Sequence, residues 1–149
     1  MEQINFNDYF LYKDGYLFWK NTKHGRSTTK PINNIDKSGY SRVRCNNNVY
    51  YCHRIIYEMH YGKIPKNLQI DHIDRNKTNN KIENLRLATC KENSRNKNSK
   101  GFVWNTSSKK WVAQIIVDGS YRYLGLHDTE LDARAAYLRA RKQFFGMFA

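Results

Sequence analysis

Long apolar stretches are missing from this chain. No run reaches the roughly 18 apolar residues that a membrane-spanning helix needs, and mean hydropathy is −0.86, which argues against a span. The opening residues, MEQINFNDYFLYKD, hold no apolar core of the kind a secretory leader carries, so none is expected. Cysteine is sparse and odd in number: Cys45, Cys52 and Cys90 form no C-x-x-C pair. That excludes a disulfide framework and gives no case for structural zinc. Proline occurs twice, at Pro31 and Pro65, and neither marks a long linker. Acidic residues are few, 13 against 26 Lys+Arg, so the formal net charge is +13 over 149 residues.

A surplus of that size speaks about partners rather than fold. It points to a polyanion: DNA, RNA or an anionic membrane face. Disorder does not fit, because 40% of residues are hydrophobic and 14% aromatic, more than a disordered segment carries. The length allows one compact domain or a few small modules.

Three regions follow one another. Residues 1–52 alternate short aromatic runs with turn residues and read as a small basic β region. Within it, Gly39–Cys45 and Val49–Cys52 flank Asn46-Asn47-Asn48, and asparagine tolerates the positive φ of a hairpin turn. Residues 53–99 open with a short helix, His53–Gly62, with Ile55, Ile56 and Met59 on one face. A strand around Leu68–Ile73 follows, then a loop rich in Asn, Asp and Lys from Asp74 to Asn84. A second strand is expected at Leu85–Ala88 and a helix from Cys90, where Thr89-Cys90-Lys91-Glu92 matches a capping box. Residues 100–149 hold three strands, Phe102–Trp104, Trp111–Val117 and Tyr121–Leu126, with the turn dipeptide Asp118-Gly119 between the last two. A closing helix from Thr129 to Phe145 is expected to bury Leu131, Ala135, Leu138 and Phe145. His24 and His127 sit in polar, loop-like contexts and read as surface histidines. The fold class is therefore α+β.

The densest chemistry lies in Asp71-His72-Ile73-Asp74, Asn84-Leu85-Arg86 and Asn93. A carboxylate and an amide oxygen are hard donors that suit Mg²⁺, an ion that keeps several waters and accepts phosphate oxygens. Imidazole titrates near neutrality and can take a proton from an attacking water. Such residues suit metal-assisted phosphodiester hydrolysis. A calcium loop read from Asp74 fails, because its sixth and twelfth positions are Asn79 and Leu85 rather than Gly and Glu.

From His53 to Asn93, with Asn76 and Asn80 also in place, the chain resembles the HNH endonucleases of ββα-metal fold, of the phage and intron-encoded homing type. The resemblance implies a catalytic set of Asp71, His72, Asn84 and Asn93. Asp71 and Asn93 would ligate the metal, His72 would be the general base, and Asn84 would orient the loop and the base. Many relatives carry His at the last position. Asn93 still offers an oxygen, which leans the metal towards Mg²⁺, or Mn²⁺, and away from zinc. His53 recurs in this subfamily just ahead of the motif and reads as structural or as a phosphate contact.

Residues 100–149 resemble the three-stranded DNA-binding domain of plant ethylene-response factors, through Gly101–Trp104, Lys110–Ile115, Tyr123-Leu124-Gly125 and Ala133–Tyr137. The resemblance implies a sheet lying in the DNA major groove with the helix behind it. Period-two alternation then turns Trp111, Ala113 and Ile115 towards the helix, and Val112, Gln114, Ile116, Tyr121 and Tyr123 outward. The expected DNA-binding residues are Lys77, Arg86, Arg95, Lys97, Lys100, Asn105, Lys110, Gln114, Tyr121, Arg122 and Tyr123. Together these readings describe a divalent-metal-dependent, site-specific endonuclease for double-stranded DNA, monomeric or a weak dimer; a monomer would cut one strand per binding event, and a double-strand cut would need a dimer or sequential nicking. It would work in the cytoplasm of a bacterial or phage-infected cell. The rival readings are a non-catalytic DNA-binding regulator and an RNA-acting protein.

Overall fold

The computed structural model describes residues 4–22, 26–96 and 99–146, so Lys97 and His24 lie outside the described residues. The architecture is α+β, and the chain divides into two compact units, Met1–Lys91 and Glu92–Ala149.

In the first unit a 3-10 turn, Phe6–Asp8, leads into the hairpin β1 (Phe10–Lys13) and β2 (Tyr16–Trp19). A three-stranded antiparallel sheet follows, formed by β3 (Asn34–Ile35), β4 (Ser41–Cys45) and β5 (Asn48–Tyr51). The β4–β5 turn is Asn46-Asn47, with φ of 47° and 63°, so the expected hairpin forms as a two-residue turn and Asn48 already belongs to β5. Helix α1 spans Cys52–Tyr61 and stops at Gly62, whose φ of 81° lies in the left-handed region glycine tolerates. Strands β6 (Gln69–His72) and β7 (Leu85–Ala88) pair antiparallel, with Asp71 opposite Arg86 and His72 opposite Leu85.

One hydrophobic core serves this whole unit. Phe6, Phe10, Leu17, Val43, Cys45, Cys52, Ile55, Ile56, Ile64, Ile70 and Leu85 pack together. The apolar face of α1 thus lies between the early strands and the β6–β7 hairpin, and the core runs across residue 52. Each fully buried side chain of this kind contributes about 1.5–3 kcal/mol, enough to tie the N-terminal strands and the hairpin into one body. All three thiols are free, with Cys45 and Cys52 buried and Cys90 exposed.

Helix α2 covers Cys90–Arg95, and the division between the units falls inside it. The second unit continues with β8 (Phe102–Asn105), β9 (Lys110–Val117) and β10 (Ser120–His127), a three-stranded antiparallel sheet, and ends with α3 (Glu130–Phe145). The β9–β10 turn is Asp118-Gly119, with φ of 52° and 82°. Thr129 caps α3: its Oγ1 accepts from the Asp132 amide and donates to the Asp132 carboxylate. The sheet packs on α3 through Phe102, Ala113, Ala133 and Ala136, and through Ile115, Tyr137 and Ala140.

The expected stripe on α3 is corrected here. Leu131 is 77% exposed and Leu138 is 51% exposed, while Ala133, Ala136, Tyr137, Ala140 and Arg141 are buried. The helix turns its small residues inward, which lets the backbones approach closely, with the Tyr137 ring buried among them and Phe145 packed, partly buried, beside it as expected. Gly101 is part of the same fit, because a Cβ there would meet the Tyr137 ring at 2.1 Å.

Candidate functional site

The motif residues converge at the end of β6. Asp71 and His72 are both buried, at 5% and 4% exposure. Adjacent strand residues point to opposite faces, yet neither faces solvent: Asn80 and the rings of Tyr40 and His53 lie against His72, and Arg86 lies against Asp71. Arg86 lies directly opposite Asp71 in the ladder, and its Nε donates to the Asp71 carboxylate at 2.8 Å. The pair satisfies a buried carboxylate that would otherwise be costly. Arg86, expected to touch DNA, therefore turns inward to Asp71.

The Asn-rich loop is built by its own side chains. Asn84 Oδ1 accepts from the Asp74 amide at 3.0 Å, and its Nδ2 donates to the Asp74 carboxylate at 2.9 Å and to the Asn79 carbonyl at 2.8 Å. Asp74 also accepts from the Asn76 amide and from Asn79 Nδ2. Burial works to raise the Asp74 pKa. The bonds from Asn79, Asn76 and Asn84, together with the charge of His72, outweigh it and hold this carboxyl below its ordinary value. Asn84 thus ties Asp74 and Asn79 together within the loop. It reaches the imidazole through the loop it orders, since Asn80, itself 4% exposed, places its Oδ1 2.9 Å from His72 Nε2. An amide oxygen only accepts, so the bond to Asn80 is made by Nε2–H. Asn80 was visible in the sequence only as one motif residue among several, and its partner could not be read from spacing.

Two further rings lie against His72, and a third backs one of them. His53, near the start of α1, lies 5.2 Å from it edge to face, and Tyr40 lies 6.0 Å away. Tyr51 stacks on His53 at 5.6 Å. Burial, followed by the charges of Asp71, Tyr51 and Asp36, raises the Tyr40 hydroxyl above its ordinary value. Lys77, on the loop, donates to the Ser38 carbonyl and places its ammonium 4.6 Å from the Tyr40 ring. Of the expected DNA-binding residues, Lys77 is the exposed cation beside this corner.

The sequence reading missed Arg42 and Arg44. Both are exposed on the outer face of β4, where Arg42 lies opposite Tyr51 and Arg44 opposite Val49. With Asn34, Val43 and Val49 they line a pocket of about 250 Å³. The signal was present in the alternation Ser41-Arg42-Val43-Arg44-Cys45, which puts both arginines on one face.

Asn93 lies on α2, within the second unit. In that unit, Tyr121 and Tyr123 are 71% and 65% exposed and lie opposite Ile116 and Gln114 on the outer face of the sheet. Arg122 is on the other face, with its guanidinium 5.7 Å from the Phe144 ring of α3. Arg95 pairs with Asp118 at 3.2 Å and stands over Phe145, and its carbonyl accepts from the buried Arg141. Lys100 stands over the Phe102 and Trp111 rings, Lys110 pairs with the exposed Asp128, and Asn105 accepts from the Ser107 and Ser108 amides in the β8–β9 turn.

The chain is similar in sequence to known proteins. Residues 50–95 match the model of the HNH endonuclease family, a segment that contains α1, the β6–β7 hairpin and α2. An uncharacterized HNH endonuclease, L560, of Acanthamoeba polyphaga mimivirus is 38% identical over 120 residues, 77% of this chain. The chain spans 63% of that relative's length. Protein 3.8 of Escherichia phage T7 is 34% identical over 105 residues, covering 65% of this chain and 86% of that protein. A solved structure of the HNH homing endonuclease I-HmuI, described as showing DNA binding and cleavage, is 26% identical with a TM-score of 0.48, over 83% of this chain and 77% of that one. Over residues 50–95 the chain is similar to the HNH endonuclease family.

Proposed function

We propose that the protein is a divalent-metal-dependent endonuclease that hydrolyses phosphodiester bonds in duplex DNA at specific sites, one strand per binding event. The observation that carries this reading is the buried corner at the end of β6, where Asp71 adjoins an imidazole whose Nε2 is held by Asn80.

The donor set fits a hard divalent ion. Among the described residues no three His, Cys, Asp or Glu side chains gather at one point. A carboxylate from Asp71 and an amide oxygen from Asn93 suit Mg²⁺, or Mn²⁺, which take oxygen donors and retain waters. An ion held by such donors would supply charge neutralisation at the scissile phosphate and the departing oxygen. His72 Nδ1 takes the proton of the attacking water while Asn80 holds Nε2–H. Asn84 fixes the loop that carries Asn80, and Arg86 aims the Asp71 carboxylate. Products with 5′-phosphate and 3′-hydroxyl ends follow from attack on phosphorus with departure of the 3′ oxygen.

The substrate is gripped by cations. Arg42, Arg44 and Lys77 hold backbone phosphates near the corner, contacts that set register without reading sequence. The outer sheet face of the second unit, with Gln114, Tyr121 and Tyr123, rests in a groove, as its likeness to ethylene-response-factor domains suggests, and Lys100 adds a backbone contact. On this reading residues 1–52 and 100–149 hold DNA, residues 53–99 cut it, and the protein acts as a monomer in the cytoplasm of a bacterial host. Supercoiled plasmid incubated with the protein and Mg²⁺ should yield nicked circles, and EDTA should abolish them. A retarded plasmid that is never nicked would replace this reading with that of a non-catalytic DNA-binding regulator.

A further inference from the structure

His53 is a buried polar group without an evident purpose. It is 7% exposed, and its Nδ1 has no hydrogen-bond partner. Its surroundings are specific. The ring stacks on Tyr51 with 21° between planes, lies 5.1 Å from Tyr40, and stands edge to face with His72 at 69°. Tyr40 also reaches His72, so His53 and Tyr40 form two walls against the imidazole whose remaining polar end is held by Asn80.

We propose that His53 is a positioning residue for His72: with Tyr40 it packs the His72 ring into the one orientation in which Asn80 holds Nε2–H and Nδ1 is the basic nitrogen. This rests on the reading of His72 as the base. Edge-to-face contact between rings at this separation is attractive and directional, so it restricts rotation about the His72 side chain in a way an aliphatic contact does not. Burial above all, then the charges of His72 and Arg54, push the His53 pKa down to about 3. His53 therefore stays neutral and sets no second cation beside its neighbour.

The test uses the full chain with Mg²⁺ and supercoiled plasmid, with kcat and KM measured separately and the His72 ring nitrogens followed by ¹⁵N NMR. His53→Ala should lower kcat by about 10- to 100-fold, the loss expected when a reacting group is misplaced by about an ångström, with KM changed less than about twofold. The NMR spectrum should change from one His72 tautomer to a mixture of both. His53→Phe refills the space with a ring and should return kcat to within about threefold of wild type with a single tautomer. A folded His53→Ala with wild-type kcat, or one whose loss lies in KM, overturns the proposal. So does a folded His53→Phe as slow as His53→Ala. If His53→Ala does not fold, Tyr40→Leu opens the same box from its other wall. It should show the same fall in kcat and the same mixed tautomer, and normal values for both would overturn the proposal. His72→Ala, run in parallel, separates the two claims: inactive His72→Ala beside normal His53→Ala removes only the positioning role, whereas active His72→Ala removes the base assignment itself.

Discussion

Lowering the pH should destabilise the first unit through His53, and the size of the effect follows from its burial. The folded state holds His53 at about 3 against an ordinary value of 6.5, so the unfolded chain binds a proton that the folded chain refuses. A group with its pKa depressed on folding gives stability that is fully present above the unfolded value and is lost as pH falls from there towards the folded value. The window is therefore pH 6.5 down to about 3. Between pH 7 and pH 4.5 the linkage removes about 2.5 kcal/mol, at about 1.4 kcal/mol per pH unit through the middle of the window. That is a large share of the stability of a domain of this size. Urea unfolding at half-unit pH intervals, for wild type and His53→Phe, isolates the contribution, because carboxylates that titrate in the same range are common to both proteins. The difference between the two curves should grow by about 2.5 kcal/mol from pH 7 to pH 4.5. Parallel curves would mean that His53 titrates alike in both states and that its burial is not as described.

Further outcomes follow from other contacts. Arg86→Met leaves the Asp71 carboxylate buried without its partner and should cost about 3–5 kcal/mol in urea unfolding; adding Asp71→Asn should recover part of that loss, and strict additivity would contradict the pairing. Asn84→Ala removes three hydrogen bonds that shape the 74–84 loop and should cost about 3 kcal/mol, with proteolysis appearing first between residues 74 and 84. Gly101→Ala drives a methyl into Tyr137 at a φ of +70°, so thermal unfolding should show a loss of about 3 kcal/mol or more confined to the second unit. Arg42→Ala and Arg44→Ala should weaken binding of unrelated DNA sequences alike and flatten its salt dependence by about one phosphate contact each; a change in sequence preference instead would show that these arginines read bases.

Local signals carried much of this fold. Asn46-Asn47 and Asp118-Gly119 named their hairpins because only residues tolerant of positive φ close such turns. Gly62 and Thr129 marked helix ends for equally local reasons. The segment that matches the HNH endonuclease family was legible because its residues are close in sequence and chemically unusual together. What escaped depends on partners distant in the chain. The inward face of α3 was misread because hydrophobicity alone favours Leu131 and Leu138, whereas the sheet needs the close approach that Ala133, Ala136 and Ala140 permit. Arg86 looked like a free cation until strand register set it opposite Asp71. The rings near His72 join Tyr40, just before β4, to Tyr51 at the end of β5 and His53 at the start of α1, and no spacing rule brings Tyr40 to them. Arg42 and Arg44 were readable from alternation, but no neighbouring motif drew attention to them.

The central claim is that His72 is the base of a metal-dependent DNA hydrolysis, and the most direct measurement is single-turnover nicking of supercoiled plasmid by His72→Ala in Mg²⁺. A loss of about 100-fold or more relative to wild type, in a variant that binds the same DNA with unchanged affinity, is the predicted result. Nicking by His72→Ala at the wild-type rate would contradict the account.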